Sequence, residues 1–106
     1  MIHIMIFVKN KNKEKGIEKM DEIIKKCQLP KNKITYKNHE ENELKREYDG
    51  EGVRIFLIAT DNYVQTRGKR YHIAYIDKDF TFGEIQESII PLGGGNLYKI
   101  ANEQYF

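Results

Sequence analysis

The sequence predicts one α/β domain over residues 1–106, with a mixed β-sheet of four to five strands and two to three helices. Residues 2–8 alternate weakly and are rich in Ile, Val and Phe, which predicts a buried strand. Residues 53–59 contain a continuous apolar run, which is typical of a strand that a sheet buries on both faces. Apolar residues at helical spacing lie between them. A chain of 106 residues suits a single hydrophobic core.

The opening segment reads as a strand, a polar connection and a helix. Residues 9–15 form the connection, in which Asn12 can cap the helix. The expected apolar face of this helix consists of Ile17, Met20, Ile23, Ile24 and Cys27. Pro30 ends the helix, because the residue before a proline is pushed out of the helical region. Cys27 is therefore expected to be a small core residue.

The middle of the chain is predicted to contain two short strands before the second apolar run. Residues 33–37 form a second extended segment, and residues 44–48 form a short strand. Asp49-Gly50 is a turn signal that leads into the strand at 53–59. The hairpin can pair at an edge of the sheet or insert into it, so the strand order stays open.

The last third begins with a predicted strand at residues 71–76, which ends at Asp77. Thr81 and Glu84 form a capping box for a second helix, which Pro91 closes. Gly93 to Gly95 are expected to be a flexible linker, and Asn96 is expected to cap a short last helix.

Composition argues against several classes of protein. Cys27 is the only cysteine, so an intramolecular disulfide or a metal site built on paired cysteines is excluded. No apolar run approaches the roughly 20 residues of a membrane span. The apolar start has no basic leader of a secretory signal. We therefore expect a cytoplasmic protein without membrane contact.

Charge is unevenly distributed. Residues 1–37 carry ten lysines against four acids, whereas residues 38–52 carry six acids against two bases. The basic part favours a solvated helix face, with contact to nucleic acid or an acidic protein as the alternative. The acidic part favours a solvated hairpin. Its alternative is a mimic of a phosphate backbone that docks on a nucleic-acid-binding protein.

A basic turn precedes the strand at 71–76 and is the candidate nucleic-acid site. Arg67, Lys69 and Arg70 can contact phosphates, and Tyr71 can stack on a base. Gly68 lets the backbone approach a ligand closely. The alternative is an ordinary basic turn between strands, with Tyr71 as part of the strand.

The segment from Glu51 to Lys78 carries a family resemblance. It contains Glu51-Gly-Val-Arg-Ile-Phe-Leu-Ile58, then Thr66-Arg67-Gly68, then Tyr75-Ile76-Asp77-Lys78. This order resembles the ATPase-domain core of phage large terminases, the DNA-packaging motors. The resemblance implies an α/β fold in which Asp77 at the end of a buried strand holds Mg²⁺.

The chain departs from that family at two points. No Gly-x-x-x-x-Gly-Lys-Ser/Thr loop occurs, so the phosphate-binding backbone is missing. Lys78 stands where the family has the glutamate that orients water. The resemblance therefore implies a degenerate core without hydrolysis.

These observations lead to three hypotheses. The first is a small non-enzymatic binding protein, a phage-type accessory or inhibitor that docks on a larger protein or nucleoprotein machine and needs no cofactor. The second is a Mg²⁺-dependent nucleotide- or nucleic-acid-processing enzyme that uses Asp77. The third is a nucleic-acid-binding protein that uses Arg67, Lys69 and Arg70. The sequence favours the first and leaves the partner and the oligomeric state open.

Overall fold

A computed structural model describes residues 1–30, 33–40, 43–61, 70–81, 90–91 and 103–106. The one α-helix in this part of the chain is α1 (Lys13–Lys26), which follows a 3₁₀ turn at Asn10–Asn12. The strands are β1 (Ile2–Val8), β2 (Ile34–Glu40), β3 (Glu43–Asp49), β4 (Val53–Thr60), β5 (Arg70–Tyr71), β6 (Ile73–Ile76), β7 (Ile90–Pro91) and β8 (Glu103–Tyr105).

The main sheet has the strand order β2-β3-β4-β1-β6-β8. β1 is parallel to both of its neighbours, β4 and β6, and β8 is parallel to β6. β2, β3 and β4 form an antiparallel meander. The predicted α/β class and mixed sheet are confirmed, and the three-residue β8 is an addition. The middle hairpin lies at one edge of the sheet, which answers the question that the sequence left open.

The two faces of the sheet carry separate cores because β1 and β4 contribute alternate residues to each. The face that α1 covers buries Ile4, Ile6, Val8, Met20, Ile23, Ile24, Leu44, Tyr48, Ile55, Leu57 and Ala59. The opposite face buries Met5, Phe7, Ile58, Tyr71, Ala74, Ile76 and Phe80. The burial of both faces that the apolar run at 53–59 predicted is therefore confirmed, and the strand predicted at 2–8 is buried as expected.

Gly16 sets how closely α1 approaches the sheet. A Cβ at this position would lie 2.7 Å from Leu57 Cδ1 and 2.9 Å from Val8 Cγ2. Both neighbours are completely buried, so they have little room to move. A glycine in the first turns of the helix thus allows the helix and the two central strands to touch.

Both ends of α1 differ from the expectation. The helix stops at Lys26, and Cys27 follows with a backbone that leaves the helical path, so its side chain is exposed rather than in the core. Asn12 occupies the N-cap position, but its side chain makes no capping hydrogen bond. The Asn12 amide is instead used in tertiary contacts at the end of β6.

The strand expected at residues 71–76 is divided at His72. Arg70 and Tyr71 pair with Ile90 and Pro91 in a separate two-stranded sheet, whereas Ile73 to Ile76 join the main sheet. The helix expected to start at Thr81, the Gly93–Gly95 linker and the helix expected at Asn96 fall largely on residues 82–89 and 92–102, outside the described residues. Within the described ranges, no helix has the length and apolar character needed to cross a membrane.

We predict that Gly16→Ala destabilises the protein even though alanine is the better helix former by about 1 kcal/mol. The added methyl group forces Val8 and Leu57 apart, and overpacking of this kind costs about 1–3 kcal/mol. Urea unfolding should give a lower free energy of unfolding for this variant. Glu14→Ala, at an exposed position in the same part of α1, is the matched control and should change little. A more stable Gly16→Ala variant would contradict the close approach of α1.

Candidate functional site

The carboxyl ends of β1, β4, β6 and β8 lie at the same end of the sheet, because these four strands run parallel to one another. We call this end the carboxyl edge. The residues that directly follow these strands, Lys9, Asp61, Asp77 and Phe106, lie there. Hydrogen bonds join Lys9 to Asp77, Asn10 to Asp61, and Phe106 to Ile76 and Lys78. Crevices outside the carboxyl ends of parallel strands are where open α/β sheets usually bind ligands. This edge is therefore the first place to look for a functional site.

Asp77 lies at the centre of this edge and is completely buried. Its Oδ2 accepts hydrogen bonds from the Lys9 backbone N–H at 3.0 Å and from the Asn12 side-chain amide at 2.7 Å. Its Oδ1 accepts from the Lys15 ammonium and from the Asp79 backbone N–H, each at 2.9 Å. Each carboxylate oxygen thus has two donors from the chain itself.

Lys15 connects Asp77 to the last strand. Its Nζ also donates to the Phe106 carbonyl oxygen at 2.9 Å and lies 4.9 Å from the centre of the Phe106 ring. The Phe106 backbone is itself paired, since its N–H donates to the Ile76 carbonyl at 3.0 Å and its carbonyl accepts from the Lys78 N–H at 2.9 Å. The side chain of Lys15 is 30% exposed, so this ammonium is only partly removed from water.

The surrounding polar side chains extend the network toward solvent. The Asn12 amide donates a second hydrogen bond to Asp79 Oδ2 at 2.8 Å, and the Lys11 ammonium lies 3.7 Å from the same oxygen. The backbone N–H of Asn10 donates to Asp61 Oδ1 at 3.3 Å. The connection between β1 and α1 is therefore held by three aspartates from two other strand ends.

The environment of Asp77 favours the ionised carboxylate. Burial by itself would raise the pKa of Asp77, but the hydrogen bonds from Asn12, Asp79, Lys9 and Lys15 outweigh burial and lower the pKa from 3.8 to about 2. The hydrogen bond from Asn12 also lowers the pKa of Asp79, with further help from the Lys11 charge. Both aspartates are thus negatively charged at neutral pH.

The sequence-based hypothesis makes Asp77 a magnesium ligand, and the arrangement around it does not fit that role. Magnesium needs oxygen ligands in an octahedral shell, whereas Asp77 is surrounded by N–H donors and an ammonium group. A cation at Asp77 would first have to displace Lys15 or Asn12. The described ranges contain no group of three or more His, Cys, Asp or Glu side chains placed to share a metal ion.

The predicted nucleic-acid contacts lie mostly beyond what the structure describes. Arg67 and Lys69 fall within residues 62–69, outside the described residues, and of Arg70 only the backbone is described, as the first residue of β5. Tyr71 is completely buried in the core on the face opposite α1. A base could stack on the Tyr71 ring only if that ring left the core. Binding through Arg67, Lys69 and Arg70 stays a prediction.

Two histidines that are distant in the sequence meet at the opposite, amino end of the sheet. The backbone N–H of His3 donates to His72 Nδ1 at 2.9 Å, and the backbone N–H of His72 donates to the His3 carbonyl at 2.8 Å. Because Nδ1 of His72 is an acceptor, its proton in the neutral ring is on Nε2. His72 therefore hydrogen-bonds to β1 at the point between β5 and β6. Its Nδ1 accepts the His3 N–H and is not available to a metal ion.

Sequence reasoning missed an open groove of about 550 Å³ beside α1. On the helix side it is lined by Glu18, Asp21, Glu22, Ile24 and Lys25, and on the sheet side by Ile34 and Arg46. The groove lies between α1, which packs on β1 and β4, and the meander strands β2 and β3. No signal in the sequence alone could locate it, since it depends on the strand order. We refer to it below as the α1 groove.

Comparisons with protein-family models, curated proteins and solved structures find no match to this chain. The resemblance to the terminase ATPase core therefore rests on the motifs around Arg67-Gly68 and Asp77 alone, and it stays a hypothesis.

We predict that Asp77 makes stability depend on pH in acid. A carboxyl group with a lower pKa in the folded chain stabilises the fold above its unfolded pKa, here near 3.8, and this contribution is lost as the pH falls toward about 2. For this buried group the contribution is about 2 kcal/mol. The free energy of unfolding of the wild type should fall over that interval.

The variant Asp77→Asn isolates this effect from that of other carboxylates. It should be less stable than the wild type at pH 7 by roughly 2–4 kcal/mol, because the partly buried Lys15 ammonium loses its counter-ion. The stability difference between the two proteins should shrink between pH 4 and pH 2. A difference that stays constant over this range would contradict the ionised, hydrogen-bonded state of Asp77. Should the variant not fold at pH 7, Lys15→Met, which removes only one of the four donors, serves in its place.

Proposed function

We propose that this chain is a small non-enzymatic binding protein that docks on a larger protein or nucleoprotein assembly. The observation that carries this proposal is the state of Asp77, the residue with the strongest sequence case for chemistry. All four of its hydrogen bonds come from the chain itself. Asp77 thus links the end of β6 to the β1–α1 connection through Lys9 and Asn12, and to Phe106 through Lys15.

The electrostatics of the site also support binding over catalysis. A general base works best with a pKa near the operating pH, and the pKa of Asp77 is about 2. Lys78, at the position of the family's catalytic glutamate, is exposed and cationic. A positive charge there opposes both metal binding and the activation of water.

The partner class that we propose is a protein, and the resemblance to terminases suggests a phage-type accessory or inhibitor. In this proposal the chain is a degenerate terminase-like core in which internal contacts occupy the place of the nucleotide. Small size and segregated charge suit such a docking role. The protein partner can itself be part of a nucleic-acid-processing machine.

We expect Mg²⁺ with ATP to leave the melting temperature of the wild-type protein unchanged. A ligand present at 100 times its dissociation constant would stabilise the folded state by about 2.7 kcal/mol, which corresponds to a shift of several degrees in a domain of this size. Differential scanning fluorimetry with and without Mg²⁺ and ATP measures this. A clear upward shift that Lys15→Met preserves and Asp77→Asn removes would favour the magnesium-dependent enzyme instead.

The docking proposal is tested by affinity purification of the tagged chain from its native host after chemical cross-linking. We expect a specific protein partner whose recovery survives nuclease treatment. Recovery of no partner, or of material that nuclease removes entirely, would contradict the proposal. The latter outcome would favour nucleic-acid binding through Arg67, Lys69 and Arg70.

A further inference from the structure

We propose that the contact between His72 and His3 is an acid-sensitive switch. When the His72 ring is neutral, this contact holds β5 against the start of β1, and a proton on the ring releases it. The switch lies at the amino end of the β1–β6 pairing, whereas Asp77 lies at the carboxyl end. It does not depend on the docking function proposed above.

Two hydrogen bonds join His72 to His3 in opposite directions. The backbone N–H of His72 donates to the His3 carbonyl at 2.8 Å, and the backbone N–H of His3 donates to His72 Nδ1 at 2.9 Å. The first bond is made by backbone groups alone and does not respond to a proton on the ring. The second requires an unprotonated Nδ1, because a ring nitrogen that carries a proton is a donor and no longer an acceptor.

A proton on Nδ1 of His72 changes this second contact from attractive to repulsive. Two N–H groups then face each other, and the His3 N–H loses its acceptor. Imidazole side chains take up a proton between about pH 5 and 8. A chain in which this contact is open binds the proton without that loss, so acid favours the open state. The contact is therefore closed at about pH 8 and opens as the pH falls toward about 5.

The described charged groups around this pair act in the same direction. Arg54 of β4 lies opposite His3 in the strand register. Asp49 of β3 is the acid next in this row, and its Oδ1 lies 3.2 Å from Arg54 Nη2. Arg70 lies two residues before His72, and its side chain is outside the described residues. A proton on either histidine thus adds positive charge beside Arg54, whose ion pair already engages Asp49, and like charges on neighbouring strands destabilise their pairing.

The release is local because His72 lies between two different pairings. Before it, Tyr71 pairs with β7, and the Tyr71 ring is completely buried in the core opposite α1. After it, Ile73–Ile76 are held in the main sheet by β1, and the Asp77 N–H donates to the Phe7 carbonyl at 2.8 Å. Loss of the contact to His3 thus allows β5 and the Tyr71 ring to leave the core while β6 stays in place.

The test follows amide hydrogen exchange of the wild-type chain by NMR at pH 8 and pH 5, with rates corrected for their intrinsic dependence on pH. We expect the protection factor of the His3 amide to fall about tenfold over this range, the size of one lost hydrogen bond. The Asp77 amide, at the other end of the β1–β6 pairing, should keep its protection. An unchanged His3 protection factor, or an equal loss at Asp77, would overturn the proposal.

The ¹⁵N chemical shifts of the His72 ring give a second readout on the same sample. At pH 8 we expect Nδ1 without a proton and Nε2 with one. Protonation of Nδ1 should coincide with the loss of protection at the His3 amide. A ring that carries its proton on Nδ1 at pH 8, or one that stays neutral at pH 5, would rule out the switch.

Three variants identify the group that takes up the proton. His72→Asn keeps an acceptor, the side-chain carbonyl oxygen, but does not titrate, so its His3 protection factor should be the same at pH 8 and pH 5. His72→Phe has no acceptor and should have low protection at both. His39→Asn removes an imidazole whose side chain lies outside the described residues, and it should respond to acid as the wild type does.

The comparison between His72→Asn and His39→Asn decides the assignment. A tenfold acid loss that persists in His72→Asn, or one that disappears in His39→Asn, contradicts the role of His72. Should His72→Phe not fold, the ring shifts of the wild type and the response of His72→Asn give the answer without it.

Discussion

The ion pair between Lys15 and Asp77 is the contact on which the carboxyl edge of the sheet depends. A fully buried carboxylate is costly unless its charge is compensated, and here an ammonium, a side-chain amide and two backbone N–H groups share that task. Lys15 remains partly exposed, which limits its own loss of hydration. The same ammonium contacts Phe106, so the helix, the central strands and the last strand are fixed at one point.

At this edge the sequence motif and the observed contacts suggest different roles for Asp77. The acidic residue follows a buried parallel strand, as in enzymes that bind a cation at that position. The β1–α1 connection, however, presents Lys9, Asn12 and Lys15 to it. Within the described residues, each oxygen of the Asp77 carboxylate thus accepts two hydrogen bonds from the chain. An open groove lies elsewhere, between α1 and residues of β2 and β3.

The sequence was sufficient for those parts of the fold that local pattern determines. The continuous apolar run of β4 predicts burial on both faces, the apolar residues of β1 predict a buried strand, and the spacing of Met20, Ile23 and Ile24 predicts the inner side of α1. Cys27 continues that spacing but lies one residue past the end of the helix, so periodicity alone assigned it wrongly. Asn12 is a residue type that favours helix caps. Its amide instead donates to Asp77 and Asp79, which lie 65 and 67 residues further along the sequence. Contacts of that range cannot be inferred from a local pattern.

The strand order has a consequence for the growing chain on the ribosome. β1 to β4 and α1 lie within the first 60 residues, so the pairing of β1 with β4 can be completed early. The other edge of β1 pairs only when β6 has been made, and the far edge of β6 pairs only with β8, which begins at Glu103. Pairings with such sequence separation form slowly, and exposed strand edges promote aggregation. Before β6 is made, the growing chain therefore exposes the edge of β1 at Met5 and Phe7, and the far edge of β6 stays unpaired until β8 is made.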